Sequence, residues 1–583
     1  MSLLLLQSMF LLVLATVIII VCEVKTVLES DVGRRQTPYF QKGSDDTVSE
    51  SITNELNKTD DLPNKTYGLS RVPTVNTDVM RSDRKTTPRI SVIHCNCSIR
   101  KSRGGATTVQ KLDSVISWLN ETTKEHLTKH HPNLPIDFLY KISGERSCNL
   151  LPTLFHIEWR NKHWQETNIF HTTIHLYSAF YDPNPDGEPC VRLLGVTRST
   201  KPHSGWCQLW FTSKDPPVVS KVTTSDYLDW QHKDSSRQMP YLFTCLLPSQ
   251  VRHLQPAAVS LVQKPCQIAT NLLKAVGGKE RESSAYQHGQ IPDDPGSSVK
   301  GWVPAVCGPA LYYYHNDFSK RLVEWVEILR AEGFGRVFLY TTDVHPNVQK
   351  VLDYYVKDGF IQVTDYQYPP PFVNEPSIRR LWTLVQWKQM FAQENIYFTD
   401  CLLRHMHQYR FIAHFDPDEV PILPKNNNFT HLLDVLLTKE RHTTLKKKQR
   451  MPPAYNLQWN YFHDDLQPQG VSAKLPEYLW SLRHTRRPVQ NLKVSPGKYK
   501  SLFDMNTVRG VFSHDVLLCA TGNCRGRSSI ISPSYAYLGH FKLNCGQKCR
   551  DANATREELF LHKYKKPVIK AVTDVLKRLQ LIV

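Results

Sequence analysis

The sequence predicts an α/β domain in its C-terminal half, preceded by a β-rich domain and by one long apolar segment at the N-terminus. Three observations carry this prediction. Residues 3–22 hold no charged side chain and are mostly Leu, Ile and Val. Short alternating runs separated by Pro and Gly turns fill residues 135–276, a pattern typical of strands. From residue 301 onward, helical and strand patterns alternate, which favours a mostly parallel sheet covered by helices.

The chain is long enough for several domains. Its 583 residues exceed one ordinary core, and 40% hydrophobic with 22% charged residues exclude a fibrous protein, a multi-span transporter and a wholly disordered chain. Changes in composition divide it into a transmembrane signal anchor (1–22), a largely disordered stem (23–134), the β-rich domain (135–276), a linker (277–300), the α/β domain (301–550) and a C-terminal extension (551–583).

The N-terminal segment indicates a membrane-bound chain. Residues 3–22 are long enough to cross a bilayer as one helix, and their Val-Cys-Glu-Val-Lys ending is a poor cleavage site for a signal peptide. We expect an uncleaved anchor, with a cleaved signal peptide as the alternative. Lys25, Arg34 and Arg35 follow the segment and no Lys or Arg precedes it, so the positive-inside rule gives no support to a lumenal body.

Sequons and cysteines do support a lumenal body. Asn-x-Ser/Thr triplets, which are acceptors of N-glycans, occur at Asn57, Asn64, Asn96, Asn120, Asn428 and Asn553. The 14 cysteines are many for a cytosolic enzyme and suit disulfides in an oxidising compartment. Without Cys22 their number is odd, so at least one thiol stays free or pairs between chains. Cys545 and Cys549 lack the second pair that a zinc site needs.

The element predictions differ between the two domains. In the β-rich domain, strands are expected at 155–159, 171–181, 191–196 and 207–211. In the α/β domain, Asp317 caps a helix that ends at Gly333, and Pro346 begins another that ends near Gly359. Further strands are expected at 336–340, 360–363 and 410–415, with one long amphipathic segment at 381–409. We find a candidate site only in the α/β domain.

An acidic cluster directly follows the last of these strands. Asp416, Asp418 and Glu419 lie within four residues, with Pro417 between the two Asp side chains. In α/β sheets ligands gather at the carboxyl ends of strands, and carboxylates this close repel each other unless a cation lies among them. Mg²⁺ or Mn²⁺ prefers oxygen ligands, often together with substrate phosphates. A solvated acidic turn is the alternative, which the buried strand before the cluster disfavours.

Six stretches of the α/β domain occur in a characteristic order. They are Val306-Cys-Gly-Pro309, Glu324-Trp-Val-Glu327, Gly335-Arg-Val-Phe-Leu-Tyr340, Val351-Leu-Asp-Tyr-Tyr355, Asp400-Cys-Leu-Leu-Arg-His-Met406 and Phe411-Ile-Ala-His-Phe-Asp-Pro-Asp-Glu419. With this order and spacing, residues 302–545 resemble glycosyltransferase family 92, whose members share the nucleotide-sugar fold called GT-A. An anchor, a stem and a lumenal body are likewise features of Golgi glycosyltransferases. The resemblance implies a single-pass type II protein of the Golgi membrane, with a GT-A-like catalytic domain in the lumen.

The resemblance also implies roles for the site residues. Asp416 and Asp418 become the pair that binds a metal ion, Mn²⁺ or Mg²⁺, and the diphosphate of a nucleotide sugar. Glu419 becomes a metal ligand or a group just outside the ligands. The ending His540-Phe-Lys542 is similar to the family's His-Tyr-Arg. It makes His540 a candidate metal ligand and Lys542 a candidate diphosphate contact.

Two assignments stay open. His514 is a second candidate for the imidazole ligand, and an ordinary structural histidine is the alternative for it and for His540. The resemblance implies inversion at the anomeric centre, and inversion in one displacement needs a general base. The candidates by position are Asp464, Asp465, Glu477 and Asp504. The aromatic stretch 459–463 could stack on sugar rings, although such stretches more often belong to a core.

The resulting hypothesis is a metal-dependent inverting glycosyltransferase. The resemblance implies transfer of a hexose, galactose from UDP-galactose, onto a glycan acceptor such as fucose on N-glycans. One alternative is a non-catalytic lumenal protein that binds glycans or nucleotide sugars, and another is a metal-dependent hydrolase. The net charge of +18 reflects 72 Lys and Arg against 54 Asp and Glu. We interpret it as a basic surface, because no nucleic-acid-binding module accompanies it.

Overall fold

The computed structural model describes residue 95 and residues 121–141, 150–184, 187–277, 303–311, 314–447, 451–489, 498–542 and 555–583. The expected anchor, most of the expected stem and linker, and every sequon except Asn428 lie outside these residues, as do Cys22, Cys545 and Cys549. No helix in the described part of the chain is long and apolar enough to cross a membrane.

The first half of the described chain forms one large sheet. Its elements are α1 (Glu121–His130), α2 (Ile136–Lys141), β1 (Glu158–Trp159), β2 (Gln165–Ile169), β3 (Thr172–Asp182), β4 (Cys190–Thr197), β5 (Trp206–Phe211), β6 (Lys214–Tyr227), β7 (Met239–Leu246), β8 (Ala258–Val262) and β9 (Leu273–Val276), with a 3₁₀ turn at Ser249–Val251. The nine strands lie in the order β1-β2-β3-β4-β7-β6-β5-β8-β9. Because β9 also pairs with β3, in parallel, the sheet closes on itself. This closure covers strand edges that would otherwise be open to another chain.

The second half forms a mixed α/β unit. Its elements are β10 (Ala305–Leu311), α3 (Ser319–Ala331), β11 (Arg336–Thr341), α4 (Pro346–Asp358), β12 (Ile361–Asp365), α5 (Pro376–Val385), α6 (Trp387–His405), β13 (Phe411–His414), β14 (Glu419–Ile422), α7 (Phe429–Lys447), β15 (Ala454–His463), α8 (Gly470–Ala473), β16 (Arg486–Pro488), β17 (Tyr499–Asp504), β18 (Val508–Val511), β19 (Val516–Cys519), β20 (Ser529–Ile530), β21 (Tyr537–Lys542), β22 (Thr555–Glu557), a 3₁₀ turn at Phe560–Tyr564 and α9 (Lys565–Arg578).

The second sheet has a parallel part and an antiparallel part. Its main order is β12-β11-β10-β13-β17-β15-β21-β14, and β20 pairs with β15 at its side. The first four strands are parallel to one another, whereas β17 is antiparallel to both β13 and β15. α3, α4 and α9 pack together beside this sheet. The mixed α/β fold and the β-rich region before it are therefore confirmed.

Local sequence signals explain why several of these elements begin and end where they do. The Asp317 carboxylate accepts a hydrogen bond from the Ser319 backbone N–H at the start of α3, 3.0 Å away. The His345 side chain accepts one from Asn347 at the start of α4, where Pro346 occupies a favourable first position. Gly359 ends α4 with a left-handed backbone, φ 84°, which glycine adopts without steric cost.

Two element predictions differ from the structure. Of the strand expected at 155–159, only Glu158–Trp159 forms, and Phe155 is 80% exposed. The segment 381–409 is not one amphipathic helix but two helices that meet at Gln386. The second of them, α6, is buried almost all around because it contacts β7 on one side and β10 and β18 on the other.

Disulfides and one buried ion-pair cluster fasten these parts. The disulfides join Cys95 to Cys266, Cys207 to Cys245, Cys307 to Cys401 and Cys519 to Cys524. Among the described residues, Cys190 is the free cysteine, and it is buried. Asp182 at the end of β3 binds Arg192 of β4 and Arg509 of β18, at 2.9 and 2.6 Å. The predicted disulfides are therefore confirmed, and the two sheets share a buried ionic contact.

Candidate active site

The acidic cluster lies at the carboxyl edge of the parallel strands. β13 ends at His414, and Asp416 follows it on the loop to β14. In the sheet, β10 has β11 on one side and β13 on the other. The strand order therefore runs outward from β10 to β12 and then continues on the opposite side of β10 with β13. Open α/β sheets bind ligands outside the carboxyl ends of the strands at such a switch point. The acidic cluster therefore lies where a sheet of this kind forms its ligand-binding crevice.

Two hydrogen bonds donated by backbone N–H groups fix the turn that carries the carboxylates. The Asp416 N–H donates to Glu419 Oε2 at 2.9 Å, and the Glu419 N–H donates to the Asp416 carbonyl at 2.8 Å. Pro417 restricts φ inside this turn. The indole N–H of Trp325, on α3, donates to the Glu419 carbonyl at 2.9 Å. The turn is thus held from within and by a neighbouring helix.

A buried lysine occupies the space beside Asp416 and Glu419. The Lys500 Nζ lies 2.9 Å from Asp416 Oδ2 and 3.6 Å from Glu419 Oε2, and its side chain is 1% exposed. Lys500 comes from β17, the strand next to β13. We did not predict it from the sequence. A signal was available in the sequence. Lys500 lies two residues from the buried Leu502 and therefore on the same face of the strand. A charged side chain at such an inward position requires a partner.

The remaining carboxylate pairs with the predicted histidine. His540 Nε2 lies 3.2 Å from Asp418 Oδ2. The pairing of β14 with β21 places Glu419 directly opposite His540, and the Phe541 N–H donates to the Asp418 carbonyl at 2.9 Å. The structure therefore brings Asp416, Asp418, Glu419 and His540 together. Asp416 and Glu419 lie beside Lys500, and Asp418 lies beside His540.

The cluster carries more buried negative charge than its one lysine balances. Burial, followed by the nearby charge of Asp416, raises the pKa of Asp418 well above its ordinary value. Burial likewise raises the pKa of Glu419 to about 7, although Lys500 opposes the change. Burial also lowers the pKa of His540 to about 4, so its imidazole is neutral at pH 7 and has a lone pair to offer. An added cation would favour the charged carboxylates.

The donor atoms of this cluster fit a divalent cation. Within the described part of the chain, Asp418 Oδ1, Glu419 Oε1 and His540 Nδ1 are buried and make no hydrogen bond. Carboxylate oxygens with one neutral imidazole suit Mn²⁺ or Mg²⁺. In that same part, however, no group of three or more His, Cys, Asp or Glu side chains is arranged to hold a metal ion. A cation bound here would therefore draw further ligands from a substrate, such as diphosphate oxygens.

Aromatic rings and Lys542 adjoin the histidine. The ring centroids of Trp459 and Tyr461 lie 4.6 and 5.5 Å from that of His540. Lys542 Nζ lies 4.7 Å from the Tyr461 ring centroid. His514 contacts the far side of Trp459, with ring centroids 5.3 Å apart. Lys542 thus lies at the same edge as the carboxylates, and His514 lies beside the Trp459 indole.

Two of the four candidate bases lie at this edge. Asp464 follows β15, and its N–H donates to the Lys542 carbonyl at 2.9 Å. The Asp464 carboxylate accepts a hydrogen bond from the Trp480 indole at 2.6 Å and lies 3.5 Å from the Arg321 guanidinium. Asp465 comes next in the chain and is exposed.

The other two candidates lie elsewhere. Asp504 is paired with Phe411, at the start of β13, and therefore lies at the opposite end of that strand from Asp416. There its carboxylate binds Arg410 at 3.3 Å. Glu477 is exposed on the loop that follows α8. Neither position favours contact with a substrate held at the acidic cluster.

Comparisons with known proteins agree with the sequence prediction. Residues 304–578 match the family model of Glycosyltransferase family 92. The matched residues contain the second sheet and the acidic cluster. No curated protein matches the chain.

Similar solved structures include those of S. aureus TarS 1-349. The structure of TarS alone is 12% identical with a TM-score of 0.20, and the match covers 40% of this chain and 60% of that one. The complex with UDP is 10% identical with a TM-score of 0.22, and the match covers 41% and 60%. The complex with UDP-GlcNAc is 11% identical with a TM-score of 0.21, and the match covers 43% and 62%. The chain thus spans less than two thirds of the TarS chain.

Proposed function

We propose that this protein is a metal-dependent glycosyltransferase that uses a nucleotide-sugar donor. The match of residues 304–578 to the model of Glycosyltransferase family 92 supports the transferase class. The observation that carries the donor and the metal is the buried pair of Asp418 and His540 at the switch point of the sheet. A nucleotide diphosphate carries negative charge, and only a cation would let it approach a cluster that is already negative.

Each residue of the cluster has a distinct part in donor binding. Asp418 and His540 would hold the cation, with Glu419 Oε1 beside them, 4.0 Å from His540 Nδ1, and Lys500 keeps Asp416 in place. A bound cation would neutralise charge that develops on the leaving diphosphate. Lys542, at the end of β21, would contact the diphosphate. Burial of the cluster strengthens each of these interactions, because water does not screen them.

The general base comes from the pair Asp464 and Asp465. Both follow β15 at the edge that carries His540 and Lys542, so they lie on the same side of the sheet edge as the proposed donor site. Such a base takes the hydroxyl proton during a single inverting displacement. The variants Asp464→Asn and Asp465→Asn distinguish the two candidates, because the variant that has lost the base also loses the acidic limb of the pH–rate profile.

The donor, acceptor and compartment are finer proposals. The family resemblance favours UDP-galactose as donor, fucose on an N-glycan as acceptor and Mn²⁺ as the cation. Disulfides among the described cysteines support a lumenal, oxidising location. A type II anchor in the Golgi membrane, formed by residues 1–22, completes the proposal.

A screen of nucleotide sugars tests this function. The purified protein is incubated with Mn²⁺ and a panel of UDP- and GDP-sugars, with and without a mixture of fucosylated and galactosylated N-glycans. We expect product only with a nucleotide sugar and an acceptor together, and none in the presence of a chelator. Donor binding without transfer to any acceptor would favour the non-catalytic binding protein. Product that forms without a nucleotide leaving group would favour the hydrolase.

A further inference from the structure

The strand beside His540 presents a row of rings on one face. Along β15, Trp459, Tyr461 and His463 are half-buried, whereas Asn460 and Phe462 between them are buried. Successive side chains of a strand point to opposite faces, so the three rings share one face. Phe462 points the other way and stacks on Phe541 in the core, with centroids 5.0 Å apart. The row therefore lies on the face opposite to Phe462 and is partly exposed, and Trp459 also packs against the core.

The same face carries the candidate metal ligand. β15 and β21 are parallel, with Tyr461 opposite His540 and His463 opposite Lys542. The rings are also in contact with one another, since Tyr461 and His463 stack with centroids 6.3 Å apart. Lys542 Nζ lies over the Tyr461 ring, 4.7 Å from its centroid, so a ligand on this face would touch residues of both strands.

The row leads from the cation site toward the candidate bases. Tyr461 and Asp464 are three residues apart, roughly 10 Å along a strand at 3.3 Å per residue. At the far end, Trp480 and Arg321 hold the Asp464 carboxylate. The distance between the two ends is comparable with the length of a short oligosaccharide.

We propose that Trp459, Tyr461 and His463 form an aromatic platform that binds a pyranose ring of the acceptor glycan. This inference rests on the proposed function. A pyranose has a face lined by C–H bonds and an edge lined by hydroxyls. The C–H face packs on the electron-rich faces of aromatic rings, while the Lys542 ammonium offers a hydrogen-bond donor to the hydroxyls. Tyr461 is the central ring, and the platform positions the acceptor without taking part in the chemical step.

Binding of simple glycosides tests the platform. Methyl α-fucoside and methyl β-galactoside are added to the full chain, and contacts are read by saturation-transfer NMR, both with and without Mn²⁺ and UDP. We expect transfer to the ring protons of one face of a glycoside. Tyr461→Ala and Trp459→Ala should each weaken glycoside binding roughly 2- to 10-fold, the range for loss of one aromatic contact. Tyr461→Phe, which keeps the ring, should bind as the wild type does.

Two controls keep the outcomes separate. Trp230, which is 49% exposed beside Phe512, serves as the matched aromatic elsewhere, and Trp230→Ala should leave glycoside binding unchanged. Calorimetric titration of Mn²⁺ with UDP should show a smaller loss of affinity in Tyr461→Ala than the loss of glycoside affinity, because Tyr461 adjoins the donor site indirectly, through His540 and Lys542.

Two groups of results would overturn the inference. Absence of glycoside binding by the wild type, or unchanged binding in both Ala variants, would refute the platform. Loss of UDP binding together with glycoside binding would assign the rings to the donor and refute the acceptor role. A wild type that fails to bind UDP contradicts the proposed function instead, and the glycoside titration without UDP still decides the platform.

Discussion

Two buried ionic clusters of this molecule show how similar groups serve different ends. At the contact of the two sheets, Asp182 is bound by both Arg192 and Arg509. Burial alone would raise the pKa of Asp182, but the two guanidinium groups outweigh it and lower that pKa to about 2. At the sheet edge, several carboxylates share one lysine, and burial raises the pKa of Glu419 to about 7. The first cluster is electrostatically complete, whereas the second would be completed by the cation of the proposed function.

The comparison distinguishes buried charges that stabilise the fold from buried charges that are candidates for ligand binding. A buried carboxylate without a partner destabilises the ligand-free protein, and such groups are typical of functional sites, where a ligand offsets the destabilisation. Asp418 Oδ1 and Glu419 Oε1 are such atoms, since among the described residues they find no hydrogen-bond donor. Asp182, by contrast, contacts two guanidinium groups and the Asn184 N–H. Substitutions of Asp418, Lys500 and Glu419 test the cluster at the sheet edge, and substitution of Arg509 tests the cluster around Asp182.

The largest effect is expected from Asp418→Asn. The amide keeps the shape of the side chain but removes the charge that a cation needs. Turnover of UDP-galactose with Mn²⁺ should fall roughly 10²- to 10³-fold, as when one group that stabilises developing charge is removed. Thermal stability should not fall, since the substitution relieves repulsion. Asp574→Asn, at an exposed position on α9, is the matched control, and equal activity in the two variants would refute the role of Asp418.

Arg509→Met opens the complete cluster. Removing one partner of a buried ion pair costs about 3–5 kcal/mol of unfolding free energy, measured by urea denaturation. The loss should be nearly equal at pH 6 and pH 8, because Asp182, still bound to Arg192, stays ionised at both. Arg252→Met removes an exposed ion pair with Glu188 and should cost about 1 kcal/mol or less. Equal losses in the two variants would contradict the contrast between buried and exposed pairs.

Lys500→Met should cost less than Arg509→Met. Asp416 and Glu419 lose their ammonium partner, which we expect to lower the unfolding free energy by about 1–3 kcal/mol at pH 6. Because the carboxylates respond by holding protons, the loss should grow as the pH rises to 8. Lys570→Met, on the exposed side of α9, is the surface control. A loss that does not depend on pH would show that Lys500 acts through packing and not through charge.

The smallest effect concerns the wild type without divalent cations. The folded-state pKa of Glu419, about 7, lies above its unfolded value, so its contribution to stability is present at low pH and is lost as the pH rises through 7. The buried histidines titrate in the same range with the opposite sign, so the effect of Glu419 is read from the difference between the wild type and Glu419→Gln. The unfolding free energy of the wild type relative to Glu419→Gln should fall by about 1 kcal/mol between pH 6.5 and pH 8. A difference that does not change with pH, or that rises, would contradict the raised pKa.

The sequence predicted the parts of the site that lie close together along the chain. Asp416, Asp418 and Glu419 follow one strand, so the motif and the strand pattern together identified the edge. His540 came from the resemblance, and the pairing of β14 with β21 brings it to Asp418.

Contacts between distant strands could not be predicted in this way. Lys500 lies far along the chain from Asp416, and the pairing of β13 with β17 that brings β17 beside the cluster follows no short-range rule. Asp504 was a candidate base by position, but the antiparallel register takes it to the other end of β13. The burial of α6 on both sides also depends on the first sheet, which its own sequence pattern does not reveal.

The central claim is that Asp418 and His540 bind a divalent cation together with a nucleotide diphosphate. Calorimetric titration of UDP into the wild type and into His540→Ala, each with Mn²⁺ and with a chelator, tests it most directly. We expect binding by the wild type only with Mn²⁺. In His540→Ala we expect a loss at least as large as the roughly 10- to 100-fold that an outer-shell substitution costs. Equal UDP affinity with and without the cation, or in the two proteins, would contradict it.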